Sequence, residues 1–293
     1  MLQVRSISRS FHGNKVLNDL SFEAKAGRIT GFVGANGSGK TTTMRIILGV
    51  LAANEGTVTW QGGPITQQVR QRFGYMPEER GLYPKMKVAE QIVYLGRLHG
   101  LDQATAQRNT TALLDRLELA GRADDPVERL SLGNQQRVQI CAALVHDPDL
   151  LILDEPFSGL DPLAIETVLS VLRAQAARGV PVLFSSHQLE LVERLCDDLV
   201  IISGGSTAAS GDRKTLQTRF ATPRFELVVD GDAGWVRDVA GVEVVELDGA
   251  RVVFDVAEGE QAQSVLQAAI HRGPVRTFGA VVPSLAEIFR EVI

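Results

Sequence analysis

The segment Gly34-Ala-Asn-Gly-Ser-Gly-Lys-Thr41 constrains the fold more than any other stretch of this chain, because it matches the pattern G-x-x-x-x-G-K-[S/T]. It follows Ile29 to Val33, an apolar run typical of a strand, and its end opens Lys40 to Leu48, which has helical spacing. Its glycines let the backbone curl so that successive N–H groups point inward, next to the positive end of the following helix. This segment, named the phosphate loop, therefore predicts a strand, a turn that binds phosphate groups, and a helix.

The side chains of the phosphate loop make this prediction more specific. Lys40 carries a mobile positive charge that suits β- and γ-phosphates, and Thr41 offers a hydroxyl to Mg²⁺, which prefers oxygen ligands. A glycine-rich turn with a chance lysine is the alternative, and the order of strand, loop and helix argues against it. We expect a nucleotide to be bound by Gly34, Asn36, Gly37, Ser38, Gly39, Lys40, Thr41 and Thr42.

Two adjacent carboxylates follow a buried strand pattern farther along the chain. The apolar run Leu150 to Leu153 ends in Asp154 and Glu155. Because side chains alternate along a strand, the two carboxylates point in different directions. Asp154 is predicted to hold Mg²⁺ through water, and Glu155 to polarise an attacking water. A solvated strand end is the alternative, but phosphoryl transfer needs both a phosphate-binding loop and such carboxylates.

Two almost continuous apolar runs indicate the class of the fold. Leu150 to Leu153 and Val180 to Phe184 flank a helical pattern over Leu163 to Ala177. Apolar strands of this kind belong in a parallel sheet that is buried on both faces. A helix-rich stretch before them predicts a helical subdomain over about residues 86–147. The alternation of strands and helices predicts an α/β fold.

A change of composition predicts a domain boundary in the last third of the chain. Ser203 to Gly211 is rich in Gly, Ser and Ala and is interpreted as turns, and a short helix is expected near Asp212 to Phe220. Strand and helix patterns alternate after it, and Asp248-Gly249 between two apolar runs is a hairpin signal. We therefore expect a first domain over residues 1–215 and a small α+β domain over residues 222–293.

The composition argues against several classes of protein. A net charge of −5 and the lack of a dense Lys/Arg tract disfavour direct binding of nucleic acid. The longest apolar stretches, such as Ile46 to Ala53, are shorter than the ~18 residues that a membrane span needs. Cys141 and Cys196 lack a paired spacing, so a disulfide framework is not expected. We expect a cytoplasmic chain.

The segment Leu130-Ser-Leu-Gly-Asn-Gln-Gln-Arg137 completes a set of motifs through which the chain resembles the ATP-binding subunit of an ABC transporter, over residues 1 to about 215. It looks like the signature loop of that family, and we name it the signature segment. The resemblance implies a P-loop NTPase cassette with a mixed sheet core, an N-terminal antiparallel β part and a helical subdomain. It also implies that the chain binds ATP with Mg²⁺ and hydrolyses it.

Three residues of the signature segment are expected to contact ATP: Ser131, Gly133 and Gln135. A serine and a backbone amide at a helix start form a second phosphate cradle, and in the family this cradle closes over the ATP held by the opposite subunit. Without the other motifs, an ordinary helix N-cap would be the better interpretation of Ser131. Leu132 and Asn134 stand where the family usually has Gly and Gln, and we expect altered packing there without loss of function. The resemblance thus implies a second copy of the chain as a partner.

Further positions match the family in order along the chain. Ser158-Gly-Leu-Asp161 resembles the loop that crosses the dimer interface, and His187 resembles the histidine that contacts the γ-phosphate. Phe11 resembles the aromatic residue on which adenine stacks, with apolar packing in a strand as the alternative. Glu78 occupies the place of a glutamine that touches Mg²⁺ and the attacking water. The expected catalytic residues are Lys40, Glu155 and His187, and the expected metal ligands are Thr41, Asp154 and Glu78.

A narrower resemblance concerns the partners of the chain. Pro77-Glu-Glu-Arg-Gly-Leu-Tyr-Pro84 and the small C-terminal domain resemble a branch of bacterial exporters, including sodium-extrusion systems, whose membrane subunits are separate polypeptides. The resemblance implies that Leu82 and Tyr83 lie where coupling helices of the membrane subunits dock. It also implies a location on the inner face of the cell membrane, through these permease partners.

Two alternatives remain open at this point. A soluble ATPase of the same family that acts on ribosomes or DNA would usually carry two cassettes or a long coiled-coil insertion, whereas about 90 residues separate Lys40 from Ser131. The C-terminal domain is also compatible with a ligand sensor. It offers no metal-ligand cluster, and His271 is expected on a helix surface.

Overall fold

A computed structural model describes residues 1–79, 81–219, 223–257, 259–281 and 284–292 of the chain. Its coordinates divide into two units, Met1–Arg213 and Lys214–Ile293. The expected end of a helix at Phe220 and the expected domain limits at Thr222 and Ile293 lie outside the described residues.

The first unit alternates strands and helices. Its strands are β1 (Leu2–Phe11), β2 (Asn14–Ala24), β3 (Ile29–Gly34), β4 (Glu55–Trp60), β5 (Gly63–Pro64), β6 (Phe73–Met76), β7 (Leu150–Leu153), β8 (Val182–Ser186), β9 (Asp198–Ser203) and β10 (Ser206–Asp212). Its helices are α1 (Lys40–Ile47), α2 (Gln67–Arg70), α3 (Val88–Leu98), α4 (Gln103–Arg116), α5 (Leu132–Leu144), α6 (Pro162–Ala177) and α7 (Leu189–Leu195). Single turns of 3₁₀ helix lie at Ala120–Arg122 and Val127–Arg129.

A six-stranded sheet carries the loops of the candidate site. Its strand order is β10-β9-β3-β8-β7-β6, with β10 antiparallel to β9 and the other neighbours parallel. Every residue of β3, β7 and β8 is buried, as the continuous apolar runs predict for a sheet covered on both faces. Because parallel strands share a direction, the loops after β3, β6, β7 and β8 leave the sheet at one edge.

A second sheet of the first unit is antiparallel, in the order β2-β1-β4-β5. Leu2, Phe22 and Trp60 from this sheet are buried in one apolar cluster with Phe32 of β3 and Met44 of α1. This shared core places α1 between the two sheets. The mixed sheet and the antiparallel part confirm the predicted fold class.

Three helices, α3, α4 and α5, pack together within residues 86–147. Asp102 begins α4, because its carboxylate accepts a hydrogen bond of 2.8 Å from the backbone N–H of Thr105. Val88 and Ile92 of α3 and Val138 of α5 are buried in this layer. The helical spacing in the sequence thus corresponds to a packed group of helices.

The prediction of turns over Ser203 to Gly211 is wrong for most of that segment. Only Gly204 and Gly205 form a turn, with φ values of +54° and +79°, and β10 then returns along β9. Small residues in β10 carry little apolar signal, so the strand is determined by its pairing with β9. The start of β2 is also determined by pairing, because its first residues, Asn14 and Lys15, are polar and exposed but pair with β1.

The second unit is a small α+β fold. After α8 (Arg213–Arg219), which lies at the boundary between the units, it contains β11 (Arg224–Val229), β12 (Val242–Asp248), β13 (Arg251–Val256), α9 (Gly259–Arg272), β14 (Val275–Val281) and α10 (Leu285–Val292). A 3₁₀ segment, Gly234–Asp238, precedes β12. The four strands form an antiparallel sheet in the order β12-β13-β11-β14, the order of a split β-α-β fold.

The core of the second unit lies between its sheet and α9. Leu227, Phe254 and Val265 are buried there. Gly249 adopts a φ of +53° between β12 and β13, which confirms the hairpin predicted from Asp248-Gly249.

Two further expectations concern features absent from the described residues. Both cysteines, Cys141 and Cys196, are free and buried, and burial raises the pKa of each thiol. None of the helices within the described ranges combines the length and apolar character needed to cross a bilayer.

Candidate functional site

The phosphate loop connects the end of β3 to the start of α1 in a conformation that requires glycine. Gly37 and Gly39 have φ values of +80° and +105°, in the left-handed region that side chains disfavour. A Cβ atom on Gly39 would lie 2.4 Å from Cδ2 of Leu17, and one on Gly34 would lie 2.7 Å from the carbonyl oxygen of Ile202. The glycine pattern therefore reflects both backbone conformation and close packing.

Lys40 is buried, and its ammonium group lies over the phosphate loop. Its Nζ donates hydrogen bonds to the carbonyl oxygens of Gly34 (2.8 Å) and Ala35 (3.2 Å). Ser38 Oγ is buried and has no hydrogen-bond partner within the described part of the chain. An unpartnered buried hydroxyl beside a buried ammonium fits a ligand with phosphate oxygens. Of the other expected contacts in the loop, Asn36 is exposed and Thr42 is half-buried.

Thr41 and Asp154 meet across the site. The Thr41 hydroxyl donates a 2.7 Å hydrogen bond to Oδ2 of Asp154, which is almost fully buried at the end of β7. In the described ranges, no three residues among His, Cys, Asp and Glu group together as metal ligands. A hydroxyl and one carboxylate nevertheless fit Mg²⁺, because this ion usually takes one or two carboxylates and completes its shell with water and phosphate oxygens.

Glu155 and Asp154 face different partners, in agreement with the alternation along a strand. Oε2 of Glu155 lies 3.0 Å from Nδ1 of His187, which follows β8 and is exposed. The carboxylate of Glu155 is largely buried, and its backbone has a φ of +51°. The structure thus brings Lys40, Thr41 and these three residues to the same edge of the sheet.

Glu78 lies in the loop after β6 and is exposed. Together with Thr41, Arg45 and Tyr75 it lines a cavity of about 290 Å³. Burial raises the pKa of the Tyr75 phenol, and the charge of Asp154 adds to this effect. Glu78 is therefore adjacent to the Thr41 side of the site.

The signature segment forms the start of α5. Ser131 is the N-cap, and its hydroxyl accepts a hydrogen bond of 3.3 Å from the backbone N–H of Asn134. Gln135 Nε2 donates to the carbonyl oxygens of Leu130 (3.1 Å) and Val127 (3.3 Å). The N-cap interpretation of Ser131 is therefore confirmed. Ser131 is also exposed, so a ligand can reach its side chain.

Leu132 and Asn134, at which the signature segment departs from the family pattern, are both at least partly exposed. Leu132 is 59% exposed. Gly133 packs against the loop before α6, where an added Cβ would lie 3.2 Å from the carbonyl oxygen of Gly159. Within the described residues, no hydrogen bond joins Ser131, Gly133 or Gln135 to the phosphate loop.

Phe11 ends β1 outside the apolar core. Its side chain is 36% exposed, and the guanidinium carbon of Arg9 lies 4.7 Å from the ring centroid. An exposed aromatic face suits stacking against a planar ligand. Asp161, at the end of the expected interface loop, is the N-cap of α6 and accepts a 2.9 Å hydrogen bond from the N–H of Ala164.

Three polar residues that the sequence analysis did not select contact the loops of the site. Ser185 interrupts the apolar pattern of β8, and its hydroxyl joins the carboxylate of Asp154 to the backbone N–H of Glu155. Gln136 and Gln139 lie three residues apart on α5. Gln136 Nε2 donates to the carbonyl oxygen of Glu155 (3.0 Å), and Gln139 Nε2 lies 3.4 Å from the carbonyl oxygens on both sides of Glu78. Polar residues at buried positions of an apolar pattern are the signal that could have identified them.

Comparisons with known proteins place the whole chain among relatives of similar length. The family model described as ABC transporter matches residues 17–158, and the model described as ATP-binding protein DrrA1-3-like, C-terminal domain, matches residues 211–293. The chain is 37% identical to the ABC transporter ATP-binding protein YhaQ of Bacillus subtilis (strain 168), over all of this chain and 98% of that protein.

Two other relatives carry names that mention resistance or export. The chain is 31% identical to the linearmycin resistance ATP-binding protein LnrL of Bacillus subtilis (strain 168), over 99% of this chain and 97% of that protein. It is 38% identical to the Nod factor export ATP-binding protein I of Cupriavidus pinatubonensis (strain JMP 134 / LMG 1197), over 72% of this chain and 66% of that protein.

A solved structure agrees with these matches. The ATP-binding subunit of an ABC transporter superposes with a TM-score of 0.70 at 33% identity, over 75% of this chain and 93% of that one. A nucleotide-free ATP-binding cassette superposes with a TM-score of 0.65 at 24% identity, over 72% of this chain and 91% of that one, a likeness of fold.

Proposed function

The chain belongs to the ABC transporter ATP-binding proteins, ATPases that power transport, and we propose that two copies of it close around two molecules of Mg·ATP to drive export through separate membrane subunits. The observation that carries this proposal is the convergence of the phosphate loop, Asp154, Glu155 and His187 at one edge of the central sheet. Each of these groups matches one requirement of phosphoryl transfer.

The proposed roles follow from the contacts of each side chain. Lys40 exchanges its hydrogen bonds with loop carbonyls for contacts with the β- and γ-phosphates. Thr41 and Asp154 would hold Mg²⁺, which neutralises phosphate charge when bound. Glu155 orients the attacking water and accepts its proton. His187 fixes the Glu155 carboxylate and reaches the γ-phosphate from its exposed position.

The dimer is supported by the outward position of the signature segment. Its N-cap Ser131 and the neighbouring Leu132 are exposed, and the segment makes no hydrogen bond to the phosphate loop within the described residues. A second phosphate cradle that does not serve the site of its own chain fits a site completed by another copy. The γ-phosphate would then join the two copies, and ADP lacks the group that makes this contact.

Substitution of Glu155 by Gln tests the proposal. We expect ATP hydrolysis to fall by about 10²- to 10⁴-fold, because the carboxylate no longer accepts a proton. The variant should still bind ATP and accumulate as an ATP-dependent dimer in light scattering. Unchanged hydrolysis in the variant, or a wild-type rate per chain that stays constant at dilutions where the protein is monomeric, would contradict the proposal.

Export and membrane attachment are proposed on two grounds. Relatives are named for Nod factor export and for linearmycin resistance. On α3 and the loop before it, Tyr94 and Tyr83 are 41% and 55% exposed, with their rings in edge contact at 6.3 Å. Tyr94 also borders a groove of about 540 Å³ between α3 and α4. We assign this surface to a coupling helix of the membrane subunit, which would hold the chain on the inner face of the membrane.

Charge introduced at this surface tests the assignment. Tyr94→Glu should abolish co-purification with a polytopic membrane protein and leave ATP hydrolysis within about twofold of wild type. Ile270→Glu, at an exposed apolar position of α9, is the matched control and should retain the membrane partner. Recovery of ribosomes or DNA, with no membrane protein, would overturn the transport proposal.

We further propose that the chain is organised as a cassette over residues 1–215 and a second domain over residues 222–293. The start of the C-terminal family model at residue 211 and the division of the coordinates after Arg213 support a boundary in this region. Limited proteolysis should cut between the domains before it cuts within either of them. A first cut inside the helical layer of α3 to α5 would contradict this organisation.

A further inference from the structure

Ser185 lies at a fully buried position beside the carboxylate of Asp154 and the backbone N–H of Glu155. It is a residue of β8 with 0% exposure, and β8 pairs with β7 so that Leu153 lies opposite Phe184. Ser185 therefore lies beside the end of β7, which Asp154 and Glu155 follow directly. This placement makes a polar residue adjacent to the reacting groups although it is far from them in sequence.

The Ser185 hydroxyl makes two hydrogen bonds of opposite sense. It donates to Oδ1 of Asp154 at 2.6 Å and accepts from the backbone N–H of Glu155 at 2.9 Å. Only a group that both donates and accepts can make these two bonds at once. Thr41 donates to Oδ2 of Asp154 and Ser185 donates to Oδ1, so that both oxygens of this carboxylate are held.

Glu155 needs such support because its backbone is held in an unfavourable conformation. A φ of +51° is uncommon for a residue with a side chain and persists where the surroundings determine it. The N–H of Glu155 is bound by Ser185, its carbonyl oxygen by Gln136 at 3.0 Å, and its carboxylate by His187 at 3.0 Å. Of these three contacts, the first is the one that also reaches Asp154.

The same short segment also orients the histidine. Ser186 Oγ accepts a 3.0 Å hydrogen bond from the backbone N–H of Gln188, which forms the turn that contains His187. Residues 185–187 thus contact Asp154, Glu155 and the turn of the histidine. A shift of Ser185 would alter the geometry between the proposed metal ligand and the proposed base.

We propose that Ser185 is a positioning residue for ATP hydrolysis: its hydroxyl holds Asp154 and Glu155 in a fixed mutual orientation. The inference rests on the roles proposed above for these two carboxylates. Among the residues that the structure describes, Ser185 makes no hydrogen bond to the phosphate loop, and it is fully buried. Its contribution is therefore to the chemical step and to metal use rather than to the capture of nucleotide.

Replacing Ser185 by Ala in the full-length protein provides the test. We expect kcat to fall about 10- to 100-fold, the KM for ATP to stay within about threefold, and the Mg²⁺ concentration for half-maximal rate to rise severalfold. Ser185→Thr keeps the hydroxyl and should be faster than Ser185→Ala, although its extra methyl group makes it the larger steric change. Thermal unfolding of each variant confirms that the compared proteins are folded.

Thr30→Val is a matched control for the loss of a buried hydroxyl. Thr30 lies on the neighbouring strand β3, is fully buried, and its hydroxyl has no hydrogen-bond partner among the residues that the structure describes. Its replacement should leave kcat within about twofold of wild type. A control as slow as Ser185→Ala would show that removing any hydroxyl from this sheet slows the enzyme, and the proposal would fail.

Three other results would overturn the proposal. These are a kcat for Ser185→Ala within twofold of wild type, a Thr variant no faster than the Ala variant, or a change confined to KM. The Glu155→Gln variant separates this failure from that of the proposed function. If Glu155→Gln is inactive and Ser185→Ala is not, the positioning role alone is wrong; if Glu155→Gln keeps full activity, the proposed function is wrong.

Discussion

The phosphate loop and the signature segment both place backbone N–H groups at the start of a helix, but their surroundings differ. Lys40 is buried and bonded to the carbonyl oxygens of its own loop, and Thr41 is bonded to Asp154. The signature segment is exposed at Ser131 and Leu132. The hydrogen bonds of Ser131 and Gln135 stay within α5 and the turn before it, whereas Gln136 donates to the carbonyl oxygen of Glu155. One cradle is assembled by the fold of this chain, and the other is left facing outward.

A phosphate-binding motif by itself therefore does not define a complete site. The geometry of the first cradle depends on strands β3, β7 and β8, which meet in one sheet. The second lies at the start of α5, a helix that Gln136 and Gln139 join to the loops that carry Glu155 and Glu78. Variants in the two regions should therefore affect nucleotide capture and dimer-dependent hydrolysis separately.

The largest effect is expected in the phosphate loop. Lys40→Ala should weaken ATP binding about 100-fold, because it removes a charge-assisted contact with phosphate, and hydrolysis should fall with it. Binding of a fluorescent ATP analogue to the monomer measures the change. Lys25→Ala, at an exposed lysine outside the site, is the control and should bind normally. Normal affinity in Lys40→Ala would remove the basis for treating this loop as the primary cradle.

The stability of the protein should depend on pH through His146, which lies just after the C-terminal end of α5. His146, just after α5, stacks on His99 at 3.7 Å between ring centroids, and its Nε2 lies 3.1 Å from the carbonyl oxygen of Phe73 in β6. Burial, together with the charge of His99, lowers the pKa of His146 to about 4 from its ordinary value of 6.5. The neutral ring is therefore the form that the fold favours.

The sign of the pH effect follows from this lowered pKa. The stabilisation is complete above pH 6.5 and is lost as the pH falls from there towards about 4, because the unfolded chain binds the proton first. The loss should amount to about 3 kcal/mol, at about 1.4 kcal/mol for each unit by which the two pKa values differ, measured by chemical denaturation between pH 7 and pH 4. His146→Phe should flatten this part of the profile, and an equally steep profile in that variant would show that other groups cause it.

Ser131→Ala should separate the two cradles. We expect hydrolysis to fall about tenfold while ATP binding to the monomer stays unchanged, since Ser131 would contact only the nucleotide of the partner copy. The variant also loses a helix N-cap, which costs about 1 kcal/mol of stability. Asp102→Ala removes the equivalent N-cap of α4 and should reproduce the stability loss without the loss of hydrolysis. Equal hydrolysis in the two variants would reduce Ser131 to a structural role.

The smallest effect is expected at Gln139, which links α5 to the loop of Glu78. Gln139→Leu removes weak contacts of 3.4 Å with the carbonyl oxygens of Pro77 and Glu79. It also removes a buried Oε1 atom that has no partner within the described residues, so stability should change little. We expect kcat to fall two- to fivefold with an unchanged thermal midpoint. A normal kcat would show that α5 does not act on this loop.

The sequence predicted those parts of the site whose conformation is specified by one continuous segment. The glycines of the phosphate loop specify its conformation locally, and an apolar strand that ends in Asp154 and Glu155 places both carboxylates at a sheet edge. The sequence did not predict a role for Ser185, because that role depends on β7 lying beside β8. The sequence also did not predict strand β10, because its small residues give no strand pattern and are extended through pairing with β9.

The sequence alone specifies the class of the fold, the loop that suits phosphate, and the pair of carboxylates at the end of an apolar strand. These features follow from local patterns of glycine, apolar residues and charge. Only the three-dimensional fold joins Asp154 to the N–H of Glu155 through one buried hydroxyl. It also leaves the signature segment, within the described residues, without a hydrogen bond to its own phosphate loop. Such relations depend on strand order, register and helix packing, which bring together residues that no local pattern connects.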